Sequence, residues 1–533
     1  MNVRARLSRL AVGAIALALL SVGVSPAHAA DSYVPISGSG STWSQNALDQ
    51  WRKNVASNYG MTVNYSGNGS SAGRTDFINQ TVDFAVSEIP FQANPQDGSP
   101  PEVPTSSYAY MPIVAGGTSL MYNLKIGGQR VTNLRLSGPV IAKIFTGAIT
   151  NWNDPAIQAD NPGLAMPDKT ITPVIRSDGS GTSAQFTAWM AAQFPDIWTY
   201  HMTSQFPVIN STFKAQNGSL GVAGYVSQDY GEGAITYVEY SYALKSGFPV
   251  AKVLNQAGYY IEPTYQSVAV ALMGATINPD LTQNLDGVYN NTDPRTYPMS
   301  SYSYMIVPTQ TNKVFTTDKG KTLSKFADYM ICEGQQQASA LGYSPLPMNL
   351  VQAASDVITK IPGTVGGVDF NSCNNPTFKP GDSPSNNQLA LAAPQPKPCD
   401  KQGPTQCVTG TGGAAQQATA GTGAGAVNDD GTSASGGGGA SDGSGGTSSG
   451  AGGGGAATNA GGPVYDANGN QVSPGSSGGP AAVSAPFNLA ADGWGTPQYI
   501  MLAAGVLLLL AVVLPPFLSR RLRRSGNGSK SST

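Results

Sequence analysis

The chain contains the segment Arg176-Ser177-Asp178-Gly179-Ser180-Gly181-Thr182-Ser183, which places one guanidinium, two glycines and four hydroxyl groups directly before an apolar run. In that run, Phe186, Trp189 and Met190 recur at the spacing of one helical face. Serine and threonine are favoured at helix starts because their side-chain oxygens accept from unpaired backbone N–H groups. The segment therefore predicts a loop that ends in the capped N-terminus of a helix.

This loop has the chemistry of an oxyanion site. A helix N-terminus presents unpaired N–H groups and the positive end of the helix dipole, and glycines let an anion approach the backbone. Arg176 adds a planar fork of donors that suits a tetrahedral oxyanion. The segment predicts that phosphate, or an anion of similar shape, binds here. A capped loop that binds nothing is the alternative on this segment alone.

Two further Gly/Ser-rich loops, residues 37–42 and 66–73, also precede helical patterns. Strand-like stretches at 61–65, 82–86 and 172–175 alternate with helical runs. This alternation predicts α/β architecture with mainly parallel sheets. Ligands bind beyond the carboxyl ends of strands in such sheets, so we expect the three loops to meet around one small anion. The alternative is that Gly and Ser are simply common in a chain with 65 glycines.

The N-terminus carries a targeting signal. Three arginines precede the apolar run Leu10–Val24, and Ala27-His28-Ala29 supplies a cleavage site. Residues 1–29 are therefore predicted to be a secretory signal peptide. No cysteine follows the cleavage site, so we do not expect an N-terminal lipid anchor.

A second apolar run, residues 499–518, stands near the C-terminus and is followed by several arginines. About 20 residues at about 1.5 Å each span about 30 Å, the thickness of a bilayer core. Basic flanking residues stay in the cytoplasm. We predict a single transmembrane helix at 499–518 and a cytoplasmic tail at 519–533. The protein would be a single-pass cell-membrane protein with its binding domain outside the cell.

Residues 378–493 differ in composition from the folded part. From about residue 408 onward they are mostly Gly, Ala, Ser, Thr and Asn, which cannot bury enough surface to offset the entropy of ordering, so a disordered linker is predicted. The cysteines also lie late in the chain, at Cys332, Cys373, Cys399 and Cys407. Four cysteines allow three pairings, of which we favour Cys332–Cys373 and Cys399–Cys407.

Several function classes are disfavoured by composition. The net charge of −2 and the 11% of charged residues provide no basic patch for nucleic acid. The cysteine and histidine spacings do not match a zinc site, and no cofactor motif is present. Ser180 could serve as a nucleophile only with a base, and the mature chain offers His201 alone for that role. We therefore expect neither a metal site nor catalysis.

Several segments resemble a known family in sequence and order. They are Gly38-Ser39-Gly40-Ser41-Thr42-Trp43, Gly67-Asn68-Gly69-Ser70-Ser71, Thr81 to Glu88 and Arg176 to Thr182. In this respect the chain is similar to the periplasmic-type phosphate-binding proteins, the substrate receptors of high-affinity phosphate ABC transporters. The resemblance covers about residues 33–360.

The resemblance implies a two-lobed α/β fold of the type II periplasmic-binding-protein class, with mixed sheets, that closes on its ligand like a clamp. The expected order is lobe I (30–117), lobe II (118–262), and lobe I again with C-terminal helices (263–377). The chain would cross between lobes near residues 115–118 and 261–266.

The resemblance also implies a set of phosphate donors. The matching positions are Thr42, Trp43, Ser70, Arg176, Ser180, Gly181 and Thr182. Asp178 would hold the Arg176 guanidinium in position; a surface Arg–Asp pair is the alternative. Arg74 would be a second cation or a solvent-facing side chain.

Glu88 departs from the family pattern, which usually has aspartate at this position. A carboxylate among donors accepts a hydrogen bond from the proton of hydrogen phosphate and repels fully ionised sulfate. Glutamate keeps that chemistry but reaches about one methylene further. The alternative is that Glu88 is solvated at the loop edge and the ligand preference is changed.

The implied function is capture of inorganic phosphate for the permease subunits of an ABC importer by a receptor held at the cell surface. The alternative function is a membrane-tethered sensor or adhesin that kept the fold and altered or lost anion binding.

Overall fold

The structure is a computed structural model, and it describes residues 33–364, 366–383, 385–414 and 417–434. The predicted signal peptide, transmembrane span and cytoplasmic tail lie outside these residues, as does the predicted linker from residue 435 onward. Within the described ranges, no helix is both long and apolar enough to cross a bilayer.

An eight-stranded mixed sheet forms the centre of the fold. Its strands, in chain order, are β1 (Ile36–Gly40), β2 (Val63–Ser66), β3 (Phe84–Ser87), β4 (Tyr108–Tyr122), β5 (Thr172–Arg176), β6 (Lys214–Gln216), β7 (Ala234–Glu239) and β8 (Ser300–Pro308). Across the sheet they lie in the order β2-β1-β3-β8-β4-β7-β5-β6.

The sheet has two parallel halves. β2, β1 and β3 run parallel at one edge, and β7, β5 and β6 run parallel at the other. The strands β8 and β4 join the halves through antiparallel pairing. Pro112 lies within β4, where it has no N–H to donate, and the register with β8 shifts opposite it, between Ser303 and Tyr304. The result is the mixed α/β sheet that the resemblance implied.

Helices follow most of these strands. They are α1 (Gln45–Tyr59), α2 (Ser70–Ile78), α3 (Gly138–Phe145), α4 (Pro155–Asp160), α5 (Gly181–Gln193), α6 (Gly218–Ser227), α7 (Tyr240–Ser246), α8 (Tyr265–Leu272), α9 (Asp286–Tyr289), α10 (Thr317–Ile331), α11 (Ala338–Leu341), α12 (Met348–Ile358) and α13 (Gln388–Ala392). Short 3-10 turns occupy Asp229–Gly231, Glu333–Gln337, Pro398–Asp400 and Gly412–Ala414.

Short strands outside the main sheet pair in small ladders. They are Arg135–Leu136 with Lys252–Leu254 and Tyr260–Ile261, Lys125–Ile126 with Gln129–Arg130, Thr276–Ile277 with Gln283–Asn284, and Gln406–Cys407 with Ala426–Val427.

The two largest apolar cores of the described residues define two lobes, and a smaller third core packs α6 and α7 on the lobe II strands. The core of lobe I is built around β1, β3, α1, α10 and α12. The core of lobe II is built around the helices α3 and α5 and the chain segments that directly follow these two helices. β4 passes from one core to the other, since Val114 packs in lobe I and Leu120 in lobe II. The chain passes back between Ile261, in the core of lobe II, and Val268, in that of lobe I.

One boundary differs from the prediction. The assignment of all of residues 263–377 to lobe I is wrong, because Leu285, Tyr289 and Tyr297 are buried in the core of lobe II. The chain returns to lobe I along β8, whose Tyr302 and Tyr304 are buried there. Periodicity could not reveal this excursion, because it depends on which core receives the side chains.

The predicted linker is also corrected at its start. The C-terminal extension, residues 373–434, is folded over much of its length, so the expectation of disorder from residue 378 is wrong here. Its first part packs against lobe I, where Phe378 is buried in the apolar core. From about residue 399 onward it is held by polar contacts with lobe II. Thr411 N donates to Thr132 O at 2.9 Å, and Asp400 accepts from Lys252 at 2.8 Å and from Arg135 at 3.3 Å.

Two disulfides secure this extension. They join Cys332 to Cys373 and Cys399 to Cys407, with Cα–Cα distances of 5.0 and 5.2 Å. This is the pairing that the sequence analysis favoured. The first bond ties the start of the extension to the end of α10, and the second closes a small loop against lobe II.

Candidate oxyanion-binding site

Four helix N-termini meet where the two parallel halves of the sheet end. The helices α1 and α2 follow β1 and β2 in lobe I, and α5 and α6 follow β5 and β6 in lobe II. The first three starts are the Gly/Ser loops singled out in the sequence. The fourth, Asn217-Gly218-Ser219, was missed, although it shows the same strand, glycine, serine and helix order. Loop convergence at strand carboxyl ends is the arrangement expected of an open α/β sheet.

Backbone donors line this site. The N–H groups of Thr42 and Trp43 before α1, and those of Gly181 and Thr182 at the start of α5, donate no hydrogen bond to any residue the structure describes. Ser180 is the N-cap of α5, and its Oγ accepts from Ser183 N at 3.2 Å. Because a hydroxyl has its own hydrogen as well, Ser180 can cap the helix and still donate to an anion. Buried N–H groups without partners are rare, so four of them in one place indicate a ligand with several acceptors.

Arg176 is buried at the end of β5, with 2% of its surface exposed. Its Nε donates to Asp178 Oδ1 at 2.7 Å, and its Nη2 donates to the other carboxylate oxygen. Its Nη1 lies 3.3 Å from Ser219 Oγ and 3.5 Å from Thr182 Oγ1. Asp178 therefore holds two edges of the guanidinium and leaves Nη1 directed at the helix starts.

Asp178 is also held in place by the start of α6, within its own lobe. Gly218 N donates to its Oδ1 at 3.0 Å. Burial acts to raise the pKa of Asp178, but the hydrogen bonds and charge of Arg176 outweigh it and keep that pKa below its ordinary value. The carboxylate stays ionised, and the predicted positioning role for Asp178 fits this geometry.

Glu88 provides the acceptor in this set of donors. Only 1% of its surface is exposed, so it is not solvated at a loop edge. Its Oε1 accepts from Ser41 Oγ and, at 3.0 Å, from Ser303 Oγ; its Oε2 accepts from Ser70 Oγ at 2.8 Å. Burial raises the pKa of Glu88, and the three hydroxyls and the Arg176 charge offset part of the rise.

The two oxygens of Glu88 are not equivalent. Oε1 has two donors, whereas Oε2 has Ser70 alone among the described residues and retains room for one more. A Cβ added at Gly181 would lie 2.0 Å from Oε2. The less occupied oxygen thus faces the start of α5, where the unpaired N–H groups are. Glycine is required at 181 because any side chain would collide with the carboxylate.

The lobes touch around the site. Ser71 N in lobe I donates to Gly179 O in lobe II at 3.0 Å. Thr42 Oγ1 lies 2.8 Å from Ser219 Oγ, and Tyr242 OH donates to Thr42 O. Thr42 is the most exposed of the predicted donor side chains at 5%, and Glu88 is exposed by only 1%, so this is a closed form in which the donors and the acceptor are shut off from solvent.

All the predicted site residues meet here: Thr42, Trp43, Ser70, Glu88, Asp178, Arg176, Ser180, Gly181 and Thr182. Sequence reasoning missed Ser41, Ser219 and Ser303, whose hydroxyls hold Glu88, Thr42 and Arg176. Ser41 could have been found from its place in the first loop. Ser303 could not, because it lies in the middle of a strand that is adjacent only in the folded sheet.

Arg74 fits neither of the roles considered for it in the sequence analysis. Arg74 is neither a second cation for the anion nor solvent-facing: it is buried and paired with Glu102 through distances of 2.7 and 3.0 Å. The Trp43 ring packs edge-on against Tyr343, with centroids 5.7 Å apart, so its contribution to the site is its backbone N–H. His201 is exposed and has no hydrogen bond to Ser180 among the described residues.

A sequence model described as a PBP superfamily domain matches residues 25–333. The phosphate-binding protein PstS of Xylella fastidiosa strain Temecula1 is 32% identical over 319 residues, covering 60% of this chain and 83% of that protein. The phosphate-binding protein PstS2 of Mycobacterium bovis strain BCG is 34% identical over 323 residues, covering 58% and 82%.

Among solved structures, the phosphate-binding protein from Stenotrophomonas maltophilia aligns with a TM-score of 0.47 at 17% identity, covering 63% of this chain and all of that one. The C-terminal extension lies beyond the end of the superfamily match at residue 333. The chain therefore belongs to the PBP superfamily and, within it, to the family of the PstS phosphate-binding proteins.

Proposed function

We propose that this protein captures inorganic phosphate outside the cell and passes it to the permease subunits of an ABC importer. The observation that carries the proposal is an enclosed site that combines Arg176, four N–H groups that donate to no described residue, and one Glu88 oxygen with spare acceptor capacity. The relatives named above are phosphate-binding proteins, which supports the same ligand.

The donors account for affinity. The N–H groups of Thr42, Trp43, Gly181 and Thr182 reach the phosphate oxygens, with the hydroxyl of Ser180 beside them. The Ser70 hydroxyl donates to Glu88 Oε2 in this form and reaches the ligand only by turning its one hydrogen away from the carboxylate. Arg176 adds the charge-assisted contact. Because the site is closed to solvent, each contact acts in a medium of low dielectric, where it is stronger than in water.

The acceptor accounts for selectivity. Hydrogen phosphate carries a proton that can be donated to Glu88 Oε2, whereas sulfate at neutral pH has only lone pairs there. A carboxylate facing sulfate oxygens is repelled without a compensating bond. Glu88 thus performs the task that aspartate performs in the family, and Ser41, Ser70 and Ser303 accommodate its extra length.

Entry and release follow from the closure. With the site residues buried, phosphate enters only when the lobes separate and is retained when Thr42 and Ser219 come together again. This opening and closing is a transport receptor's cycle, and it requires no nucleophile, metal or cofactor. A sensor or adhesin that had lost its ligand would have no use for buried N–H groups without partners.

The protein is held at the cell surface by residues 499–518 in this proposal. Deleting residues from Asn488 onward is expected to release the protein into the medium, measured by immunoblotting of cell and medium fractions. Persistent membrane association of that truncated chain would show another anchor.

Calorimetric titration with phosphate near neutral pH tests the proposed ligand. We expect one phosphate per chain and tight binding. A purified, folded protein that gives no heat and no protection against thermal unfolding with phosphate would contradict the proposal.

A further inference from the structure

The start of α6 contains a serine, Ser219, that the predicted donor set does not include. Asn217 precedes the helix without a side-chain cap, and Gly218 adopts a φ of +65°, which favours glycine. This turn buries Ser219 completely and directs it at the site.

Ser219 bonds to both lobes. Its Oγ lies 2.8 Å from Thr42 Oγ1 and 3.3 Å from Arg176 Nη1, and its N–H donates to Thr42 Oγ1 at 3.2 Å. Thr42 belongs to lobe I, whereas Arg176 and Ser219 belong to lobe II. Ser219 is therefore the point at which a lobe I donor is joined to the site's arginine.

The chemistry of the groups restricts the direction of these bonds. A guanidinium only donates, so Ser219 Oγ accepts from Arg176. The Ser219 N–H fills one acceptor position of Thr42 Oγ1. Either hydroxyl can donate to the other, and when Ser219 donates, both acceptor positions of Thr42 Oγ1 are used and the Thr42 hydrogen is left to point at an acceptor in the site.

We propose that Ser219 is a positioning residue that orients the Thr42 hydroxyl as a donor to the bound oxyanion and fastens it when the lobes close. This inference rests on the proposed phosphate-binding function. Because the hydrogen-bond chain from Arg176 through Ser219 to Thr42 forms only in the closed form, its loss acts on release rather than on capture. It also acts equally on phosphate and sulfate, because a donor serves either anion.

The test is a double-mutant cycle with Ser219→Ala and Thr42→Val, measured by calorimetry and by stopped-flow kinetics with phosphate. We expect Ser219→Ala to weaken phosphate binding by about five- to tenfold, the size of one neutral hydrogen bond, mainly through faster dissociation. In the Thr42→Val background the same change should have little further effect. Ser219→Thr, which retains the hydroxyl, should restore most of the affinity.

Ser227→Ala, at the far end of the same helix, is the matched control and should bind like the parent. Among the residues that the structure describes, the Ser227 hydroxyl donates only to Gly224 O, at 3.1 Å. Additive losses in the cycle, a changed phosphate-to-sulfate ratio in Ser219→Ala, or an unchanged dissociation rate would overturn the proposal.

If Ser219→Ala does not fold, Ser219→Cys preserves the side-chain volume with a weak donor and should show an intermediate loss of phosphate affinity. Parent-like affinity in that variant counts against the role. A parent that binds no phosphate refutes the proposed function, whereas a parent that binds and a Ser219→Ala variant that binds equally well refute only this inference.

Discussion

The two lobes contribute opposite charges to the site, and they hold those charges in different ways. In lobe II, the Arg176 guanidinium is paired edge to edge with Asp178, so the fixed positive charge is largely balanced by the protein. In lobe I, Glu88 is surrounded by the neutral hydroxyls of Ser41, Ser70 and Ser303. Both charged groups are almost completely buried.

In the proposed function, this difference separates the residues that give affinity from the one that gives selectivity. The lobe II half is built to donate, because Asp178 fixes the arginine while the α5 N–H groups stay unpaired. The lobe I half contains the acceptor, and its hydroxyls stabilise the carboxylate without adding a cation that would attract any anion. A site of donors alone would take phosphate and sulfate alike, whereas one acceptor among donors discriminates by protonation.

Removing the lobe II charge should have the largest effect. Arg176→Ala is expected to cost several kcal/mol of phosphate affinity, more than a hundredfold, because it removes a charge-assisted contact and leaves Asp178 buried and unpaired beside the anion. Calorimetry or equilibrium dialysis with labelled phosphate measures the loss. Arg52→Ala, at a half-exposed arginine on α1 paired with Asp49, is the control. Parent-like binding by Arg176→Ala would place the arginine outside the site.

The next largest loss of phosphate affinity is expected from adding a side chain at Gly181 of lobe II, where the backbone contacts Glu88 of lobe I. In Gly181→Ala the new Cβ would lie 2.0 Å from Glu88 Oε2, so the carboxylate must move away from the ligand position. We expect at least a tenfold loss of phosphate affinity. The shorter side chain in Gly181→Ala/Glu88→Asp should recover part of it, and a double variant no better than Gly181→Ala alone would show that the collision is not the cause.

The smallest expected effect is on stability, and its pH dependence has opposite signs in the two halves. The lowered pKa of Asp178 stabilises the folded protein above the unfolded value of about 3.9, and this contribution is lost as pH falls through the folded value. The raised pKa of Glu88 does the reverse: its contribution is present below about 4.3 and is lost as pH rises through the folded value.

Thermal unfolding of the phosphate-free protein checks both signs. Asp178→Asn should be less stable than the parent by about 1–3 kcal/mol at neutral pH, with the difference shrinking below about pH 4. Glu88→Gln should be more stable than the parent at neutral pH and equal to it in acid. The same pH trend for both variants would contradict the assignment of their pKa shifts.

Much of the fold was predictable from local patterns. The loop before α5 combines an arginine, glycines and hydroxyls, and its N-cap is Ser180, one of the residues the pattern offered. The predicted site residues gathered because parallel strands end at the same edge. Ser303 was missed because its contact with Glu88 depends on strand order, which no local pattern specifies.

The C-terminal extension shows where composition misleads. Its Gly, Ala, Ser and Thr residues predict disorder, yet Gln406 and Thr411 are completely buried against lobe II. Their amide and hydroxyl groups bond to the backbone of Asn133 and Thr132, so polar contacts replace the missing apolar surface. A linker prediction based on hydrophobicity cannot detect these hydrogen bonds, because the residues that accept them lie hundreds of positions earlier in the chain.

The separate roles of the donors and of the Glu88 carboxylate are tested most directly by titrating the parent and Glu88→Gln with phosphate and with sulfate at neutral pH. The account predicts strong phosphate preference in the parent. In Glu88→Gln phosphate should weaken or change little and sulfate should gain, so that the preference falls by about tenfold or more, as expected for a charged contact worth about 1.5–3 kcal/mol. An unchanged phosphate-to-sulfate ratio in Glu88→Gln, with both proteins folded and binding, would contradict the claim that this carboxylate selects the ligand.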